Sequence, residues 1–182
     1  MPECNFRFPC ALAPDAAYAL VYTPALDAFI FKEQSLGTLE DLGSSIDEVH
    51  EHRHVRITPN SALLNVLSLV IWAAGIKTPI TYESRQRRSR SERLVEFTTT
   101  VESLPSLSIR GWTRVNPPLV GVDDDAVSKE AGVNGSVHET YIFVETGSSL
   151  SDAAASLFLE RALRPEYERA AASCARYASI SK

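Results

Sequence analysis

The sequence predicts an α+β fold, a curved antiparallel sheet packed on a long C-terminal helix, and three observations carry that prediction. Segments 94–101, 107–115 and 136–145 alternate apolar and polar residues with the period of two expected of half-buried strands. The first two are joined by the short connection Leu104-Pro105-Ser106, which suits an antiparallel hairpin. Near the C-terminus, Leu159, Leu163, Tyr167, Ala170, Cys174 and Tyr177 recur at helical spacing, opposite Glu160, Arg164, Glu168 and Arg176. An antiparallel sheet with one long amphipathic helix buries most apolar surface by curling around that helix.

The bulk properties bound the rest. A chain of 182 residues, 45% hydrophobic and 23% charged, suits a single globular domain over 1–182. The net charge of -5 argues against a general nucleic-acid binder, which needs a basic face to neutralise phosphates. Met1 to Asn5 do not lead from basic residues into an apolar run, so no secretory signal is expected. The most apolar stretch, 62–76, is interrupted by Asn65 and Ser68 and falls short of the roughly 20 residues of a membrane helix. Cys4, Cys10 and Cys174 form no CxxC pair and leave an odd thiol, which fits free cysteines in a reducing compartment. A cytoplasmic protein without a membrane span is expected.

Along the chain, Pro2, Pro9 and Pro14 predict an extended N-terminal arm over 1–17. Tyr18–Tyr22 and Ala28–Phe31 read as short strands joined by a turn at Pro24. Leu36, Leu39, Leu42 and Ile46 suggest a short helix broken by Gly37 and Gly43. Residues 49–58 read as a strand, and Pro59-Asn60-Ser61 then opens a helix over 63–74 that ends at Gly75. Ile80–Tyr82 suggests another strand, with the arginine-rich segment after it as an exposed hairpin tip. Residues 116–135 form a long loop, and Ser149 with Asp152 resembles a capping box launching a helix to about Tyr177, kinked at Pro165.

Chemistry is harder to find. His50, His52 and His54 share one face of a predicted strand, and neighbouring pairs could chelate an ion. The outer pair lies roughly 13 Å apart, so a third ligand would have to come from elsewhere, with His138 the candidate. The plainer reading is a polar stripe on an edge strand, so no metal and no cofactor are assigned. Arg85, Arg87, Arg88, Arg90 and Arg93 could grip phosphate but lack interleaved aromatics. Trp112, between Arg110 and Arg114, could stack on an arginine. No nucleophile elbow, phosphate loop, dinucleotide fingerprint or HExxH motif is present.

The segment Gly135-Ser-Val-His-Glu-Thr-Tyr-Ile-Phe-Val-Glu-Thr-Gly147 with the helix after it, and the strand-Pro-helix passage from His54 through Pro59, resemble START and Bet v 1-like helix-grip proteins. The likeness covers roughly 49–180 and is one of pattern. It implies a sheet gripping the terminal helix around a cavity for lipids, polyketides or other hydrophobic ligands, and some members are aromatases, cyclases or dehydratases. The leading expectation is therefore a small hydrophobic molecule bound by Tyr82, Phe97, Ile109, Tyr141 and Phe143. In an enzymatic version Glu139 or His138 moves a proton. The rival is a non-catalytic assembly subunit working through a homo-oligomer or a protein partner, and whether the chain is an enzyme stays open. A filled core would favour assembly, and an enclosed cavity of about 300 Å³ or more would favour ligand binding.

Overall fold

A computed structural model describes residues 2–60, 81–102, 104–119, 126–132, 134–145, 156, 160 and 163–181. The chain runs through β1 (Glu3–Cys10), α1 (Pro14–Leu20), α2 (Pro24–Gln34), β2 (Gly37–Ile46), β3 (His50–Pro59), β4 (Tyr82–Ser89), β5 (Leu94–Val101) and β6 (Leu104–Asn116). There follow α3 (Ala126–Ala131), β7 (Ser136–Glu145) and α4 (Arg164–Ile180). The strands form one curved antiparallel sheet in the order β1-β7-β6-β5-β4-β3-β2. Helices α1, α2 and α4 cover one face, here called the inner face.

The alternation read in β5, β6 and β7 sets what that face carries. Val95, Phe97 and Val101, then Ile109 and Val115, then Ile142 and Val144 are all buried, and β1 adds Phe6, Phe8 and Cys10. Against them α4 lays Ala171 and Cys174, with half-buried Leu163 and Tyr167 beside them. Pro165 occupies the first turn of α4, where a missing N–H costs nothing, so it starts the described helix. The expected helix over 63–74 and the capping box at Ser149 and Asp152 lie outside the described residues.

Several expectations change. The N-terminal segment is extended as far as Cys10, but as an edge strand paired with β7, Phe6 facing Thr140 and Phe8 facing His138. Tyr18–Leu20 and Ala28–Phe31 lie in helices, with Val21 and Tyr22 in the turn between them, so neither segment is a strand. Pro14 and Pro24 sit at helix starts, and Thr23 caps α2 by accepting the Leu26 amide at 3.3 Å while its hydroxyl donates to the Leu20 carbonyl at 2.8 Å. Their apolar residues satisfy a helical period as well, since Leu26 and Ile30, four apart, are both buried.

The expected broken helix after Ser35 is strand β2. Gly43, with φ 151, lies where the register with β3 shifts, so the residue that weakened a helix is the one a bulge uses. Most of the arginine-rich segment is strand β4, and the hairpin tip comes after it, at 90–93. Its cations hold the fold together. Arg88 lies 4.5 Å over the Tyr18 ring and bonds the Tyr18 carbonyl and Glu51, while Arg87 pairs with Glu96 and Arg93 with Asp15. The 116–135 segment contains α3.

Gly111, in the middle of the sheet, shows how tightly the layers meet. A Cβ there would strike the Tyr141 carbonyl and lie 2.8 Å from the Phe97 ring. Gly111→Ala should destabilise the protein by about 2 kcal/mol, the cost of overpacking a core that cannot open. Urea denaturation reads this directly, and an unchanged midpoint would mean the sheet accommodates the methyl.

Candidate functional site

Between the inner face, α2 and α4 lies a cavity of about 260 Å³. Its walls are apolar for the most part, with Phe8 from β1, Leu26 and Ile30 from α2, Leu39 and Ile57 from the far strands and Ala170 from α4. Set among them is a run of polar side chains from the sheet: Gln86, Thr113, Thr140 and His138. All four are more than nine-tenths buried. Buried polar groups cost free energy unless bonded, so such a concentration on the covered face of a sheet calls for a use.

Part of that use is internal. Thr113 and Thr140 share a hydrogen bond of 3.0 Å, and the Tyr22 hydroxyl lies 3.5 Å from Thr113 Oγ1. Tyr167 from α4 bonds the Tyr22 hydroxyl in turn, so four hydroxyls run across the cavity floor. Burial pushes the Tyr22 phenol up to about 12 and the Tyr167 phenol well above its ordinary range, keeping both neutral donors. Tyr22 reaches its place through a backbone φ of 59, an unusual conformation for a bulky residue, at the junction of α1 and α2.

His138 is bonded on one side only. Its ring contacts Cys10, whose thiol is lowered chiefly by the hydrogen bond from Cys174 and then by His138, while the Cys174 thiol is raised by the same shared proton. Its Nε2 is buried and has no hydrogen-bond partner among the described residues. At the α2 end, burial raises the Asp27 carboxyl although Arg53 opposes it, and burial likewise raises Glu166 against Arg169. Arg53 Nη1 contacts Asp27 at 2.5 Å and the Tyr22 carbonyl at 3.1 Å, while its Nε contacts Asp41 at 2.7 Å.

The residues expected from sequence divide between the two faces. His138 lines the cavity. Glu139, next along β7, points the other way and bonds Asn5 and Asn116. Tyr141 and Phe143 share that outer face, where Tyr141 stacks on Trp112 with centroids 5.9 Å apart. The outer face thus takes Glu139, Tyr141 and Phe143 away from the cavity, because adjacent strand residues alternate sides. Phe97 and Ile109 belong to one buried cluster beneath Tyr22 and Tyr167 rather than to the wall. Tyr82 lies on the inner face of β4, in phase with Ser84 and Gln86 but outside the cavity lining, and burial raises its phenol well above the ordinary range.

The histidine stripe lies on the outer face of β3. His54 pairs with Glu83 at 3.1 Å, and His138 cannot join the stripe because β4, β5 and β6 separate β7 from β3. Trp112 does carry an arginine, with Arg114 5.6 Å from its ring. Among the described residues no helix is long and apolar enough to cross a membrane.

Sheet order, a covered inner face and a terminal helix over a cavity can be compared with known architectures. Norcoclaurine synthase of Thalictrum flavum superimposes with a TM-score of 0.60 at 10% identity, over 99% of this chain and 96% of that one. The chain has the START/Bet v 1-like helix-grip fold. The Zhui aromatase/cyclase from Streptomyces sp. R1128 has the same helix-grip architecture, with a TM-score of 0.56 at 10% identity over 99% of this chain and 95% of that one. A protein of Thermus thermophilus gives 0.57 at 7% identity over 100% and 98%. No family profile and no curated protein matches the sequence.

In this helix-grip protein, sequence reasoning missed Tyr22, Gln86, Thr113, Thr140 and Tyr167 as cavity groups. The available signal was a polar residue in phase with apolar ones: Thr113 with Val115, and Thr140 with Ile142.

Proposed function

We propose that this protein takes up one small hydrophobic molecule in the cavity beneath α4 and acts on it as a cyclase or dehydratase. The observation that supports this reading is the buried, unpaired His138 Nε2 in the wall of an otherwise apolar cavity. The space, about 260 Å³, sits just under the roughly 300–1,000 Å³ of ordinary small-molecule sites, so it suits a compact ring system better than a long acyl chain. His138 removes a proton from a carbon beside a carbonyl, and the neutral Tyr22 phenol donates to the oxygen where charge develops. The cavity falls just short of the about 300 Å³ expected of a ligand site, yet it is not the filled core expected of an assembly subunit, which supports ligand binding over assembly.

Titration with an environment-sensitive hydrophobic dye, alongside native mass spectrometry, tests the binding step. Ala170→Trp places an indole in the cavity and should weaken dye binding about tenfold or more while the circular dichroism spectrum stays unchanged. His138→Gln should retain binding and lose turnover of any substrate found. Absence of both an organic adduct and dye binding in the unmodified protein would sink the reading.

A further inference from the structure

We propose that Asp47, His50 and His52 bind one divalent ion of the zinc class on the outer face of the β2–β3 hairpin. The three side chains each offer a donor atom, and these atoms lie within 4.8 Å of one another. Among the described residues no other group of three His, Cys, Asp or Glu side chains meets that condition. The hairpin builds the arrangement. Residues two apart on a strand face the same way, which puts His50 and His52 side by side with ring centroids 5.9 Å apart. The turn then folds Asp47 back over them.

Asp47 is held in position before any ion arrives. Its Oδ1 accepts the backbone amides of Val49 at 2.7 Å and His50 at 2.6 Å. Its Oδ2 lies 2.8 Å from His52 Nε2, and its Oδ1 lies 3.9 Å from His50 Nδ1. An ion seated between the three replaces the hydrogen bond in which His52 Nε2–H donates to the Asp47 carboxylate; that Nε2 proton passes to water, Nδ1 carries the ring's remaining proton, and the freed Nε2 lone pair and the carboxylate bind the metal.

Two imidazoles and one carboxylate favour zinc, copper or nickel over calcium and magnesium, which prefer oxygen cages. Three protein ligands leave a fourth position to water. Two arginines flank the site, and each is engaged by an acceptor. Arg87, opposite His52 in the strand register, is paired with Glu96, and Arg90 points its guanidinium at the Asp47 carbonyl from 3.4 Å. His54 is engaged by Glu83 and stays out of the set.

This site is independent of the cavity, since β3 turns Arg53 to the inner side and the imidazoles to the outer. Calorimetric titration of the full, tag-free chain with zinc chloride tests it, with cobalt(II) absorption as a second readout of donor geometry. One zinc per chain is expected. Binding should vanish in the His50→Ala/His52→Ala double variant, weaken about tenfold or more in Asp47→Asn, and persist in His54→Ala. Magnesium should give no heat. A silent zinc titration of the unmodified protein, or binding that survives the double variant in a chain shown folded by circular dichroism, overturns the proposal.

Discussion

Replacing Arg53 with methionine should cost about 3 kcal/mol or more of stability, among the largest effects of any single change to this chain. Arg53 is almost fully buried and ties α2 to the sheet through Asp27, with further bonds to Asp41 on β2 and the Tyr22 carbonyl. The Asp27 side chain is only 16% exposed, so without the guanidinium it is left as a buried charge with no counter-ion, the situation that makes broken buried pairs so costly. Arg53→Met/Asp27→Leu should recover most of the loss, because it removes the stranded charge as well. Urea midpoints of the three proteins decide the matter, and a single-variant cost below about 1 kcal/mol would show that water reaches the pair.

The pH dependence follows from the same geometry. The folded protein holds the Asp27 proton more tightly than the unfolded chain does, because burial outweighs Arg53. A carboxyl raised in this way contributes stability that is fully present below its unfolded pKa and is lost as pH rises through the folded value. Loss of Arg53 removes the group that opposes the upward shift, so the folded value rises further. The gap between Arg53→Met and the unmodified protein should therefore narrow in acid and widen toward neutrality.

Phe97→Ala should cost about 3 kcal/mol or more, the usual range for deleting a buried aromatic ring. Phe97 stacks under Tyr22 and Tyr167, with centroids 6.2 and 6.4 Å away, and joins Ile109 and Ile142 in one cluster. Its removal leaves a void directly below the hydroxyl chain. Apolar voids of this kind stay dry and accept small aromatics, so benzene should raise the melting temperature of the variant by more than it raises that of the unmodified protein, whose own cavity also offers apolar walls. Collapse of the two tyrosines into the gap would instead give a variant that is weakened yet no more responsive to benzene than the unmodified protein.

The stretches that were legible in the sequence are those where burial and alternation coincide. Strands β5, β6 and β7 carry apolar residues on the covered face and polar ones between, and β5 and β7 appear where the pattern puts them, while β6 begins at Leu104, so the expected connection 104–106 is already strand. Strand β4 was hidden because its central inner positions are Ser84 and Gln86, and five nearby arginines read as a solvated tip. The helices after β1 were hidden because aromatic and β-branched residues favour strands locally, while the proline that starts α2 also suits a turn. Tertiary burial of Leu26 and Ile30 overrides that local preference.

The site failed to show for a related reason. Alternation says which residues of β7 share a face but leaves open which face is covered, and both are rich in apolar side chains. Tyr141 and Phe143 drew attention by size. Their rings instead join Trp112 in a lateral cluster on the outer face, and the smaller His138 and Thr140 meet the cavity. The choice depends on where the helices land, and on β1 pairing with β7, which no local pattern specifies.

That pairing has a bearing on synthesis. Asn5 and Glu139 bond across 134 residues of chain, so during translation β1 must wait for β7. At roughly 5–20 residues per second the wait is on the order of ten seconds. During that interval Phe6, Phe8 and Cys10 have no sheet to cover them. A nascent chain of this kind presents a sticky segment to whatever holdases gather at the ribosome exit.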